Sequence, residues 1–148
     1  NCIHPKIRLR FDTQEKFFGP GVCELLELID ETGSVQKACA RMELSYSKGS
    51  KMLKKLDQVI GIFIVERWTG GAGGGGARLT EAGKKLVKTY RKMETEVQKA
   101  AEDAFYKYYG EDFRNAITIN SSITEESVIS LEKAIIDIQT GGTTDEAD

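Results

Sequence analysis

Between Ser45 and Lys55 the chain places four hydroxyl groups and four ammonium groups: Ser45, Tyr46, Ser47, Lys48, Ser50, Lys51, Lys54 and Lys55. Hydroxyls and amines of this kind can hydrogen-bond base edges and neutralise phosphate oxygens, if one surface presents them together. The spacing of their apolar neighbours supplies that surface. Gly49, Met52, Leu53, Leu56 and Ile60 recur at helical intervals, so a helix would bury them on one face and expose the polar set on the other. Just upstream, Val35, Ala38, Cys39 and Met42 form a second short stripe, with Ser34 as its expected N-cap. Glu43-Leu44 is the turn between the two, with Leu44 expected to pin it to the core and Ser45 to cap the second helix. Two short helices so closely joined must cross at a large angle, as in a helix-turn-helix. Periodicity alone also allows two ordinary helices of a small bundle.

The elements around this pair narrow the choice. Lys6 to Asp12 alternates, with Ile7, Leu9 and Phe11 on one side, and predicts a half-buried strand. Gly19-Pro20 opens a helix carrying Val22, Leu25, Leu26 and Ile29, and Thr32-Gly33 closes it. After the lysine-rich helix come Ile62 to Trp68, a glycine-rich loop from Thr69 to Gly76, and Ala77-Arg78-Leu79. This predicts a β-hairpin, the wing of a winged helix. Arg67, Thr69, Gly70, Gly71 and Arg78 are its expected contacts with a nucleic-acid backbone or minor groove. Gly71 to Gly76 formally matches G-x-G-x-x-G, but no βαβ context surrounds it, so a dinucleotide site is not expected.

Charge follows the same map. The 148 residues total −2, yet 37–92 carry 13 Lys/Arg against 4 Asp/Glu while 93–148 carry 4 against 13. The basic middle coincides with the helix pair and hairpin, and such clustering sets a local field that draws phosphate. No apolar run is long enough for a membrane span and no signal peptide is visible, so a cytoplasmic protein is expected. Cys2, Cys23 and Cys39 lack metal-ligand spacing; Cys2-Ile3-His4 supplies only two ligands, so no metal is expected. One histidine and no nucleophile beside a base argue against an enzyme.

From Glu81 to about Tyr109 one long helix is expected. Leu86, Tyr90, Met93, Val97, Ala100 and Ala104 step by four and three, the seam of a coiled coil, and are assigned to a homodimer interface. The competing expectation is packing within the chain. Gly110 to Phe113 ends this helix, Ile117 and Ile119 suggest a short strand, and 122–138 suggests one more amphipathic helix. The expected organisation is therefore a domain at 1–80, a dimerisation helix at 81–113, a helical extension at 114–139 and a disordered tail at 140–148. The fold class is mainly α with a small β wing.

Leu79-Thr80-Glu81-Ala82-Gly83-Lys84-Lys85-Leu86 resembles the junction of wing and linker helix in LysR-type winged helix-turn-helix domains. Val65 to Ala77 resembles the wing of ModE-type, molybdate-responsive transcription regulators. Gly33-Ser34-Val35 and Leu44-Ser45-Tyr46 are similar to that family's second and recognition helices. The resemblance covers roughly residues 6–110. It implies a dimeric, sequence-specific regulator on a palindromic double-stranded DNA site. Tyr46, Ser47, Lys48, Ser50 and Lys51 would lie nearest base edges, and Lys54, Lys55, Ser34 and Gln36 nearest phosphates. The family's oxyanion sensor is a separate pair of β-barrel domains, for which the residues after Phe113 are too few, so molybdate binding is not carried over. A helical dimeric protein-interaction module without DNA binding is the alternative.

Overall fold

The computed structural model describes residues 3–71, 74–116, 129, 132–133 and 135–138. They fall in two compact units, one within Arg8–Glu94 and a second made of the described residues of 1–7 and 95–148.

In the first unit a small hairpin, β1 (Phe11–Asp12) and β2 (Lys16–Phe18), precedes three helices. Helix α1 (Pro20–Thr32) starts at a proline, whose missing N–H costs nothing in a first turn, and stops at Gly33 in the left-handed conformation. It buries Cys23, Leu25, Leu26 and Ile29, as its stripe predicts. Helix α2 (Val35–Arg41) is capped by Ser34, whose Oγ accepts the Lys37 N–H at 3.2 Å. The N–H groups of Met42, Glu43 and Leu44 then turn back onto the carbonyls of α2. Glu43 adopts φ 56°, a strained value for a residue with a side chain, and Leu44 packs against the core as expected. Helix α3 (Tyr46–Ile60) is capped by Ser45, which accepts the Lys48 N–H at 3.1 Å, and ends at left-handed Gly61.

The crossing of α2 and α3 depends on Gly49. A Cβ there would lie 2.3 Å from the buried Sγ of Cys39, so only glycine lets the two backbones approach this closely. Cys23 and Cys39 are free, buried thiols, as expected, and Cys2 lies outside the described residues.

Strands β3 (Val65–Trp68) and β4 (Gly76–Leu79) pair antiparallel, in register from Val65 opposite Leu79 to Trp68 opposite Gly76. The glycine-rich segment therefore joins a hairpin, not a strand to a crossover helix. The hairpin is fastened at its base. The Asp57 carboxylate accepts the Ile64 N–H, Asp30 accepts that of Leu79, and the Gly33 carbonyl accepts that of Ala77. Thr80 then caps α4 (Glu81–Ala116). Its Oγ1 accepts the Gly83 N–H at 3.1 Å and donates to the Phe63 carbonyl at 2.9 Å. A Cβ on Gly83 would sit 2.4 Å from the Ile64 carbonyl oxygen, which explains the glycine two residues after Glu81.

Three expectations change. The alternation from Ile7 to Asp12 appears in burial, but ladder pairing is confined to Phe11–Asp12, because the only partner strand among the described residues is the short β2. The unit takes in α4 as far as Glu94, past the domain edge expected at residue 80, since Tyr90 is part of the core. Helix α4 breaks at Gly110, at φ 78° and ψ 170°, and is helical again to Ala116. In the second unit the Gln98 side chain accepts the Ile7 N–H and donates to the Pro5 carbonyl, holding the extended N-terminal backbone against α4. Residues 129, 132–133 and 135–138 are helical. The strand expected at 117–119 and the tail at 140–148 lie outside the described residues.

Candidate nucleic-acid interface

Burying Gly49, Leu53 and Leu56 turns the opposite side of α3 to solvent. Tyr46 (53% exposed), Ser47, Lys48, Lys51 and Lys54 form a continuous exposed face, with Ser50 half-buried at its edge. The first turn adds backbone donors. Ser45 satisfies the Lys48 N–H, and the first intrahelical bond, from Gly49 to the Ser45 carbonyl, leaves the N–H groups of Tyr46 and Ser47 without an intrahelical acceptor. A helix N-terminus with open N–H groups attracts anions, and these lysines reinforce it.

The face is flanked on both sides. Lys54 borders a groove with Thr13, Gln14 and Glu15 of the β1–β2 turn. It also borders a second groove with Val65, Glu66 and Arg67 of the wing and Thr80. Among the described residues the ion pairs engage Lys55 and Arg78 but not Lys48, Lys51, Lys54 or Arg67. Lys55, expected at phosphate, is held by Glu15, and that ammonium keeps the Glu15 carboxyl below the ordinary carboxylate range. Arg78 donates to Glu66 across the hairpin at 2.8 Å and lies 5.5 Å from the Trp68 ring centre. Spacing could not have shown the first partnership, because Glu15 lies 40 residues from Lys55, whereas Glu66 and Arg78 are opposite each other in the hairpin register.

The wing's glycines have two separate jobs. Gly70, Gly71 and Gly74 take positive φ, which only glycine adopts cheaply, while Gly75 and Gly76 clear space. A Cβ on Gly76 would be 2.5 Å from the Trp68 indole, and one on Gly75 would be 2.8 Å from the Trp68 carbonyl oxygen. Arg67, Thr69, Gly70 and Gly71 are all exposed. At the other expected contact, Gln36 is exposed and Ser34 spends one lone pair on its cap.

The seam on α4 divides. Tyr90 is 1% exposed, with its hydroxyl donating to the Leu9 carbonyl at 2.8 Å and its ring edge-on to Phe11 and Phe18. It is a core residue, and its assignment to a dimer face is corrected on that ground. Burial pushes its hydroxyl up to about 12. Leu86 also packs on the core, half-buried. Met93 (42% exposed), Ala100 and Ala104 face solvent, and Val97 is half-buried. Beside Tyr90, Arg91 bridges Glu27 of α1 and Glu94, and burial raises the neighbouring Cys23 thiol to about 12, leaving it inert as a nucleophile. Among the described residues no His/Cys/Asp/Glu group could hold a metal ion, and no helix is long and apolar enough to cross a membrane.

Comparison with known proteins fits this geometry. Residues 23–84 match the bacterial regulatory helix-turn-helix proteins of the LysR family. The DNA-binding transcriptional dual regulator ModE of Escherichia coli (strain K12) is 31% identical over 131 residues, 88% of this chain and 47% of that protein. The transcriptional regulator ModE of Yersinia pestis is 34% identical over 99 residues, 66% of this chain and 38% of that one. Full-length CbnR complexed with its target DNA is a looser structural likeness: a TM-score of 0.49 at 18% identity, over 61% of this chain and 30% of that one. The chain spans less than half the length of the curated relatives it matches. Matched segment, helix pair and wing coincide: residues 23–84, which match the helix-turn-helix of the bacterial LysR family, hold both the α2–α3 pair and the wing, in a chain similar to ModE regulators.

Proposed function

We propose that this chain is the DNA-reading part of a transcription regulator. The observation that carries it is the solvent-exposed face of α3, whose hydroxyls and cations Ser47, Lys48, Lys51 and Lys54 sit between two flanking grooves. With α3 in a major groove, Tyr46, Ser47, Lys48, Ser50 and Lys51 meet base edges and Lys54 meets phosphate. Arg67 and the Thr69–Gly71 backbone reach the flanking strand or minor groove. Ser34 and Gln36 are assigned to the neighbouring phosphates.

The regulator acts as a homodimer joined through the exposed part of the α4 seam, Met93, Val97, Ala100 and Ala104, with Leu86 at its margin. Two copies of α3 then read a palindrome with half-sites about one helical turn, or a multiple of it, apart. No oxyanion or metal cofactor is assigned to this chain, and it works where chromosomal DNA is, in the cytoplasm. Selection of duplexes from a random-sequence library tests the proposal: a two-fold symmetric motif should be enriched. Recovery of unenriched sequence would remove the DNA-reading role.

A further inference from the structure

Two cations at the margins of the α3 face are held by carboxylates that the DNA-reading role does not use. Glu15, on the β1–β2 turn, engages Lys55 along one side of the helix. Glu66, on β3, engages Arg78 along the other, and the Trp68 ring backs the same guanidinium. Each carboxylate lines a groove that also contains Lys54. The middle of the face is therefore cationic, and each edge carries a negative charge with its countercharge already satisfied.

Resting on the DNA-reading function, we propose that Glu15 and Glu66 are positioning residues that enforce DNA specificity by keeping Lys55 and Arg78 out of phosphate contacts. In an aligned complex, phosphates are neutralised by Lys48, Lys51, Lys54 and Arg67, which no carboxylate holds among the described residues. In a misaligned complex, phosphates slide towards the margins. There they meet neutral ion pairs and find no free cation, so the wrong register forgoes the phosphate neutralisation that the aligned one gains. Sequence-independent binding comes almost wholly from phosphate neutralisation, so removing these guards strengthens it most.

The test compares wild type with Glu15→Gln, Glu66→Gln and the double variant. Each is titrated against a duplex recovered by selection and a random-sequence duplex of equal length, over a series of salt concentrations. On random duplex, each freed cation should steepen the slope of log affinity against log salt by about 0.9 per protomer. Affinity at low salt should rise roughly 3-fold or more per freed cation, and the ratio of selected to random affinity should fall. Glu31→Gln is the control: it frees Arg41 on the α1–α2 side and should leave the ratio unchanged.

An unchanged slope, or an equal gain on both duplexes, overturns the guard role while leaving DNA reading intact. Loss of affinity with an unchanged melting temperature overturns it too, by making Glu15 or Glu66 a DNA contact. Should wild type bind neither duplex, the underlying DNA-reading function fails first, and visibly so.

Discussion

Replacing Gly49 with alanine isolates the contact that sets the angle between α2 and α3. The new Cβ would lie 2.3 Å from Cys39 Sγ, whereas relaxed contacts between such atoms begin at about 3.5 Å. Cys39 is 1% exposed, so the sulfur has little room to retreat. Overpacking of this kind costs about 1–3 kcal/mol, against which alanine regains about 1 kcal/mol of helix propensity over glycine. The expected net loss is up to about 2 kcal/mol, or some 4–8 °C in Tm per kcal/mol for a unit of this size. Cys39→Ala supplies the control within the same geometry. With the sulfur gone, the next neighbours of a Cβ at position 49 are Leu25 Cδ2 at 3.8 Å and the position-39 Cβ at 3.9 Å, both ordinary contacts. The second substitution should therefore rescue the first, with a coupling of about 1–3 kcal/mol in a double-mutant cycle read by urea unfolding. A Gly49→Ala effect of the same size in both backgrounds would refute the close approach and the helix crossing built on it.

Replacing both Lys48 and Lys51 with alanine should flatten the salt dependence of DNA affinity by about 0.9 for each phosphate left without its ammonium; an unchanged slope removes both from phosphate. Alkali should unfold the protein through Cys23 and Tyr90, because burial raises both from ordinary values of 9.0 and 10.0 to about 12. Their neutral forms are favoured by folding, so that stability is complete below pH 9.0 and drains away as pH climbs towards 12. In Cys23→Ala the fall should be shallower but still begin near pH 9.0, because burial also raises the Cys39 thiol, and a pH-independent denaturation midpoint over this window would contradict the burial assigned to these groups. Val97→Asp combined with Met93→Asp should convert dimer to monomer by light scattering, whereas Tyr90→Phe should lower Tm and leave the mass unchanged. The reverse pattern would return Tyr90 to the interface and remove the other two.

The helix pair and wing were legible because their signals are local. Ser34, Ser45 and Thr80 cap the helices that follow them, Gly33 and Gly61 end the helices before them, and the apolar stripes of α1 to α3 are the faces that become buried. The β1–β2 hairpin was not legible. Its strands have two and three residues, and its turn through Thr13 and Glu15 has none of the glycine or asparagine that marks a tight reversal. Tyr90 misled because four-and-three spacing describes any continuous helical face, whether it meets a second chain or its own core. The hold of Glu15 on Lys55 joins residues far apart in sequence and that of Glu66 on Arg78 depends on the exact hairpin register, so lysines and arginines that looked equivalent in composition are divided by the fold into free and engaged sets. The same holds for Gly49 and Gly83, whose requirement comes from Cys39 and Ile64 on other segments.

The central claim is that the exposed face of α3 discriminates between DNA sequences. Equilibrium anisotropy titration tests it most directly, using a selected duplex and a random duplex of equal length at one fixed, near-physiological salt concentration. The selected duplex should bind at least about 10³-fold more tightly, the lower end of the range for specific recognition. Equal affinity for the two, or no binding to either, would contradict it.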